Sequence, residues 1–221
     1  MPQIVFDPSA AKRTSSPSSW KPENPIPPEI RSFGFCADFS PLLPGDLVLF
    51  SAINPDCIAK AIRKVQEVGG YSKDDARWEH AAVYIGDEAI CEATRRGVRI
   101  GSLYDYLLKY KIRFRRNDSL TQDQRWNLAV HALRLQKIYK YGFYSIVELY
   151  FKSKIGFWKG NKSPKSFPKR SVYCSELYGE AHFRASGIYP KNNRSDEITP
   201  ACLSSNTTSL RDVHVPWVKI E

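Results

Sequence analysis

The sequence predicts an α+β fold, a mostly antiparallel and small barrel-like sheet packed against helices. Three observations carry that expectation. Short β-type runs bounded by turn residues fill the first half, as in Pro44-Gly-Asp-Leu-Val-Leu-Phe50. Two such runs, 77–85 and 89–94, face each other across Gly86-Asp87-Glu88 and read as a hairpin. Segments with helical spacing flank these strands instead of alternating strictly with them, an order that suggests α+β.

The elements follow in order. Residues 1–40 hold Thr14-Ser-Ser-Pro-Ser-Ser19 and Pro25-Ile-Pro-Pro28, too little apolar surface to offset chain entropy, so they read as a flexible arm. The domain, 41–221, opens with a strand at 47–50. Residues 55–68 have helical spacing at Ile58, Ile62 and Val65, stopped by Gly69-Gly70. After the hairpin, 98–101 extends the sheet, 103–110 is a short helix and 112–114 another strand. Thr121 and Gln124 form a capping box. The helix it opens runs to about 138, with Trp126, Val130 and Leu133 on one stripe. Residues 143–151 are a further helix candidate, and 152–170 a Lys-rich basic loop. Residues 174–185 form a helix ended by Gly187, and 213–220 a closing strand.

Composition narrows the function. At 221 residues and 42% hydrophobic, the chain fits one domain with extensions. No apolar run approaches the roughly 20 residues that span a bilayer, and 1–19 lacks a signal-peptide core. A cytoplasmic origin is expected, with export left to a dedicated secretion system. Five scattered cysteines (Cys36, Cys57, Cys91, Cys174, Cys202) argue against a disulfide framework and favour a reducing compartment. No CxxC pair marks a zinc site, so no metal and no cofactor is expected. The net charge of +10 concentrates in Arg113-Phe-Arg-Arg116 and 152–170. It reads as solvated basic loop, or as attraction to an anionic cell-wall or membrane surface; no nucleic-acid motif accompanies it.

Cysteine, histidine and an acid are the parts of a thiol nucleophile. His80 starts one hairpin strand and Glu92 lies late in the next. With a three-residue loop, Ala82 lies opposite Glu92 and His80 shares their face, within reach of the carboxylate. A two-residue loop at Asp87-Glu88 sends His80 and Glu92 to opposite faces; Gly86 suits either. On the first register Glu92 fixes the tautomer of His80, whose other nitrogen faces the thiol. Small Ala82 would let the helix bearing Cys174 approach. Cys174 opens its helix, where free N–H groups and the macrodipole favour a thiolate and can hold an oxyanion. Among the other candidates, Asp46 is expected to bond local backbone in its turn, and Cys91 to point to the core. Cys57 sits in a helix first turn. His131 is expected to be structural, His182 is too far along its helix to meet the thiol, His214 has no assigned role, and Glu176 is expected to face outward.

Over 42–220 the chain resembles the circularly permuted papain-like branch of the NlpC-type cysteine peptidases and amidases. That superfamily also contains the lecithin retinol acyltransferase-like enzymes. The residues that carry the resemblance are Pro44-Gly-Asp-Leu-Val-Leu-Phe50, Trp78-Glu-His-Ala-Ala-Val-Tyr-Ile-Gly86, Ile90-Cys-Glu-Ala93 and Tyr173-Cys-Ser-Glu-Leu177, with histidine before cysteine. The resemblance implies Cys174 as nucleophile, His80 as general base and acid, and Glu92 as orienting residue. It implies a weaker substrate role for Tyr141; Tyr173 and Ala82 join it as weak substrate-binding candidates. The expected activity is a cysteine amidase or peptidase, acting on peptides such as those of peptidoglycan through an acyl-enzyme. The alternatives are a lipid ester or thioester acylhydrolase or acyltransferase, using Tyr144, Leu149, Phe151, Phe157 and Trp158 at a membrane, and a non-catalytic binding module.

Overall fold

The computed structural model describes residues 22, 24–94, 97–135, 174–190 and 198–220. The sheet is antiparallel and six-stranded. Its strands are β2 (Leu47–Ala52), β3 (His80–Gly86), β4 (Ala89–Thr94), β5 (Gly97–Ser102), β6 (Tyr110–Arg116) and β7 (Arg211–Val213), in the order β5-β4-β3-β2-β6-β7. The fold is therefore α+β, as the sequence predicts. The sheet is open, with β5 and β7 at its edges, and not a closed barrel.

Period-two alternation gives the sheet two apolar faces. On one, Val48, Phe50, Ala82, Tyr84, Ile90 and Phe114 pack with Ile26, Ile30 and Phe39 from the N-terminal side. On the other, Leu47, Leu49, Ala81, Val83, Cys91 and Ala93 pack with two helices. These are α4 (Gln122–Leu135), through Leu128, Ala132 and Leu135, and α5 (Cys174–Ser186), through Leu177, Tyr178 and Ala181. The remaining helices are α1 (Pro28–Phe33), α2 (Cys57–Val68), α3 (Lys73–Ala76) and α6 (Pro200–Ser205).

Several sequence expectations change. The arm expected over 1–40 is part of the fold from Ile26 onward: Ile30 is buried and β1 (Phe35–Ala37) pairs with β8 (Trp217–Lys219). The closing strand expected over 213–220 is two strands, because Pro216 has no N–H for a ladder; its carbonyl instead accepts from Asp38 N at 2.9 Å. The helix expected at 103–110 is a single 3-10 turn, Leu103–Asp105, and β6 begins at Tyr110. In α4 the buried stripe is Leu128, Ala132 and Leu135, at i, i+4 and i+7, while Trp126 is 51% exposed. The basic run Arg113-Phe-Arg-Arg116 is neither a solvated loop nor an anion surface. Arg113 and Arg115 share Asp212, and Arg115 caps the α6 carbonyls of Leu203 and Ser204. Arg116 grips Asp46 with two bonds of 2.8 and 2.6 Å.

The β3–β4 hairpin settles the loop question in an unexpected way. Its turn is the two-residue one, with Asp87 and Glu88 both at positive φ, 48° and 54°. A bulge between Tyr84 and Gly86 adds one residue to β3. The extra residue reverses the parity of the short turn, so Ala82 pairs with Glu92 after all. Side-chain partners hold this strained turn. Asn24 Nδ2 donates to Asp87 O at 2.7 Å and to the Glu88 carboxylate, and Leu103 N donates to Glu88 O at 2.8 Å. At the same end of the sheet Gly45, with φ 89°, is required: a Cβ there would meet Arg125 O of α4 at 2.8 Å.

Candidate active site

His80 begins β3 beside Phe50 of β2, its cross-strand partner. Its Nε2–H donates to Glu92 Oε2 at 2.6 Å. Glu92 is fully buried, yet every charge it carries is answered. Tyr106 Oη donates to Oε2 at 2.6 Å, and Arg99 donates to Oε1 through Nε at 3.0 Å and Nη2 at 2.9 Å. Burial alone would raise the Glu92 pKa; the bonds from His80 and Tyr106 and the Arg99 charge outweigh it and hold the carboxyl below its ordinary value. Gly101 on β5 makes this possible, since a Cβ there would stand 2.8 Å from Glu92 Oε1.

The other nitrogen of His80 is left for sulfur. Cys174 is half-buried at the first position of the 13-residue helix α5, and its thiol is close enough to the His80 ring to act on its proton. Burial pulls the His80 pKa down, but the bonds to Cys174 and Glu92 and their negative charge raise it to about 10. At neutral pH the His80 ring therefore holds its proton. The first N–H groups of a helix have no partners within it, and Cys174 stands at that end of α5.

Cys174, His80 and Glu92, chosen from sequence, come together. The approach differs from expectation in one respect. Ala82 is not the contact that admits the Cys174 helix: it packs on the opposite face of the sheet, and Ala81, Val83 and Ala93 meet α5. The thiol reaches His80 because His80 stands at the very start of β3, where the strand no longer separates the two layers. Tyr141, Tyr173, the segment 143–151 and the basic loop 152–170 lie outside the described residues.

Other candidates have structural places. Asp46 accepts from Leu43 N at 2.9 Å and pairs with Arg116. Cys91 is buried in the core. His182 is fully buried, with Asn117 Nδ2 donating to its Nε2 at 3.0 Å and Nδ1 donating to Ile188 O at 2.8 Å; burial lowers its pKa. Cys57 and His214 are exposed, and His131 and Glu176 are half-buried.

Sequence reading missed Arg99 and Tyr106. Arg99 is the direct cross-strand partner of Glu92, a signal available once the β4–β5 register is fixed. Tyr106 left none, because it arrives from a non-helical turn. Its ring lies 4.2 Å from that of Phe50, centroid to centroid. Tyr106→Phe should keep that packing and lose one bond to a charged carboxylate, worth about 1.5–3 kcal/mol. We expect kcat to fall about tenfold, with KM little changed; an unchanged kcat would show that Glu92 holds the ring without Tyr106.

A cleft of about 390 Å³ opens beside His80 and Glu92, lined also by Asn54, Asp56, Glu79, Tyr106 and Tyr110. Fold and site together define an α+β protein in which a thiol stands beside an imidazole that is hydrogen-bonded to a buried carboxylate. No protein-family model and no curated protein matches the chain. Among solved structures it is similar to the metalloprotein YiiX from Escherichia coli O157:H7, DUF1105, at 17% identity and a TM-score of 0.52, covering 77% of this chain and 95% of that one. At that identity the likeness concerns the fold alone. Among the described residues no helix is long and apolar enough to cross a membrane, and no group of three His, Cys, Asp or Glu is placed to hold a metal ion.

Proposed function

We propose that this chain is a cysteine hydrolase that cleaves an amide bond, a peptidase or amidase of the permuted papain-like kind. The observation that carries the reading is the series Cys174–His80–Glu92, with the His80 ring standing between a thiol and a fully buried carboxylate that it bonds at 2.6 Å. The Cys174 thiolate attacks the carbonyl carbon, forming the C–S bond, and the oxyanion is held by N–H groups at the start of α5. His80 gives its proton to the leaving nitrogen as the C–N bond breaks. Neutral His80 then takes a proton from water, which attacks the thioester, and the carboxylic acid leaves as the thiol pair is restored. Glu92 keeps one tautomer throughout.

Asn54, Asp56, Thr94 and Tyr110 on the cleft wall favour a polar, peptide-like substrate over an acyl chain. YiiX is described as a metalloprotein, so metal deserves an arm of the test. Both Glu92 oxygens are already engaged by His80, Tyr106 and Arg99, which fits bracing the ring and not ligating an ion.

The test is intact-mass analysis after incubation with peptidoglycan peptides and, separately, with phosphatidylcholine vesicles. A thioester adduct on Cys174 from peptide, insensitive to chelator, is expected. An adduct from lipid alone would transfer the activity to lipid acyl chemistry. Turnover without a Cys174 adduct, or lost on chelation, would overturn the mechanism.

A further inference from the structure

We propose that the cleft beside His80 selects substrates bearing a positive charge, an ammonium or guanidinium group, through Asp56 and the rings of Tyr106 and Tyr110, resting on Cys174 and His80 being the reacting pair. In a chain of net charge +10, the described residues lining this cleft include three carboxylates, Asp56, Glu79 and Glu92, and no Lys or Arg. Two of the three are offset from behind. Glu79 pairs with Arg63 at 3.0 Å, and Glu92 with His80 and Arg99. Asp56 has no ion-pair partner among the described residues; its Oδ1 accepts from Ala59 N at 2.8 Å as the N-cap of α2. It is the exposed charge that a ligand meets.

The field of these groups registers on the wall of the cleft. The Tyr110 hydroxyl is raised above its ordinary pKa by burial and then by Glu79, Asp56 and Glu92, acids from three separate stretches of the chain. The Tyr106 and Tyr110 rings stand 5.1 Å apart at 59°, an aromatic corner suited to a cation beside a carboxylate. Low-dielectric walls concentrate such a field, attracting cations and repelling anions. An anionic phospholipid headgroup would thus be disfavoured at the same site.

The experiment uses the thiol as reporter, so it needs no turnover. In Cys57→Ser protein, which removes the exposed thiol next to Asp56, Cys174 is reacted with two methanethiosulfonates. One carries 2-(trimethylammonio)ethyl and the other 2-sulfonatoethyl. The thiolate forms a mixed disulfide and methanesulfinate leaves. Relative to 2-mercaptoethanol, the cation-to-anion rate ratio should be about tenfold higher, should fall with added salt, and should drop about threefold in Asp56→Asn. Asparagine caps helices as well as aspartate does, so this variant should fold, as its melting curve will confirm. A ratio equal to that of the free thiol, or one unmoved by Asp56→Asn, would overturn the proposal. Charge-selective labelling without any acyl adduct would instead sink the hydrolase reading and leave the cation site standing.

Discussion

Cys174→Ala should abolish turnover, with kcat falling on the order of 10³-fold or more and the fold intact. The expectation follows from where the sulfur sits. It is half-buried, at the start of a helix, and beside a ring that bonds Glu92 through Nε2. Cys36, Cys91 and Cys202 are buried, and burial pushes the Cys36 and Cys91 thiols up to about 12, which leaves the exposed Cys57 as the other accessible thiol. Alanine suits the helix, so the melting temperature should change little. Substrate turnover by the alanine variant within tenfold of wild type would place the nucleophile elsewhere.

Glu92→Gln should have the next largest effect, a fall in kcat of about 10²- to 10⁴-fold, since an amide can present its N–H to His80 and favour the wrong tautomer. It should also destabilise the protein by about 3 kcal/mol, because Arg99 and His80 lose their shared buried charge. The two losses separate by pH. His80 has a raised pKa in the fold, about 10 against an ordinary 6.5. Its contribution to stability is complete below 6.5 and is lost as pH rises toward 10. Glu92 is lowered from 4.5, so its contribution is present above 4.5 and lost as pH falls through its depressed value. The destabilisation by Glu92→Gln should thus be greatest between 4.5 and 6.5 and shrink on both sides. Denaturant melts across pH read this directly; a difference independent of pH would mean that Glu92 acts only by packing.

How much of this was legible in the sequence depended on what each residue had to reveal. The helix opened by Cys174 and stopped by Gly187, which sits at φ 78°, was visible from local chemistry. The His80–Glu92 pairing was visible only up to loop parity. A bulge at residue 85 decided it, and bulges arise from how a strand bends against its neighbours, which spacing alone does not encode. Ala82 was misread for a related reason. Both faces of the sheet are covered, so alternation places a residue on a face without saying which layer lies there. The arginine run at 113–116 looked like surface, because its partners Asp46, Asp212 and the α6 carbonyls lie as many as 99 residues away in sequence. Tyr106 was hidden by its irregular turn, whereas Arg99 needed only the register of β4 against β5.

The most direct test of the central claim, that the His80 ring holds its proton between Cys174 and Glu92, is the titration of that ring followed by nitrogen NMR in wild type and in Cys174→Ala. The pair predicts a wild-type midpoint of about 10 and a lower one in Cys174→Ala, where only the carboxylate still holds the proton. A ring that titrates near 6.5 in wild type, or at the same pH in both proteins, would contradict it.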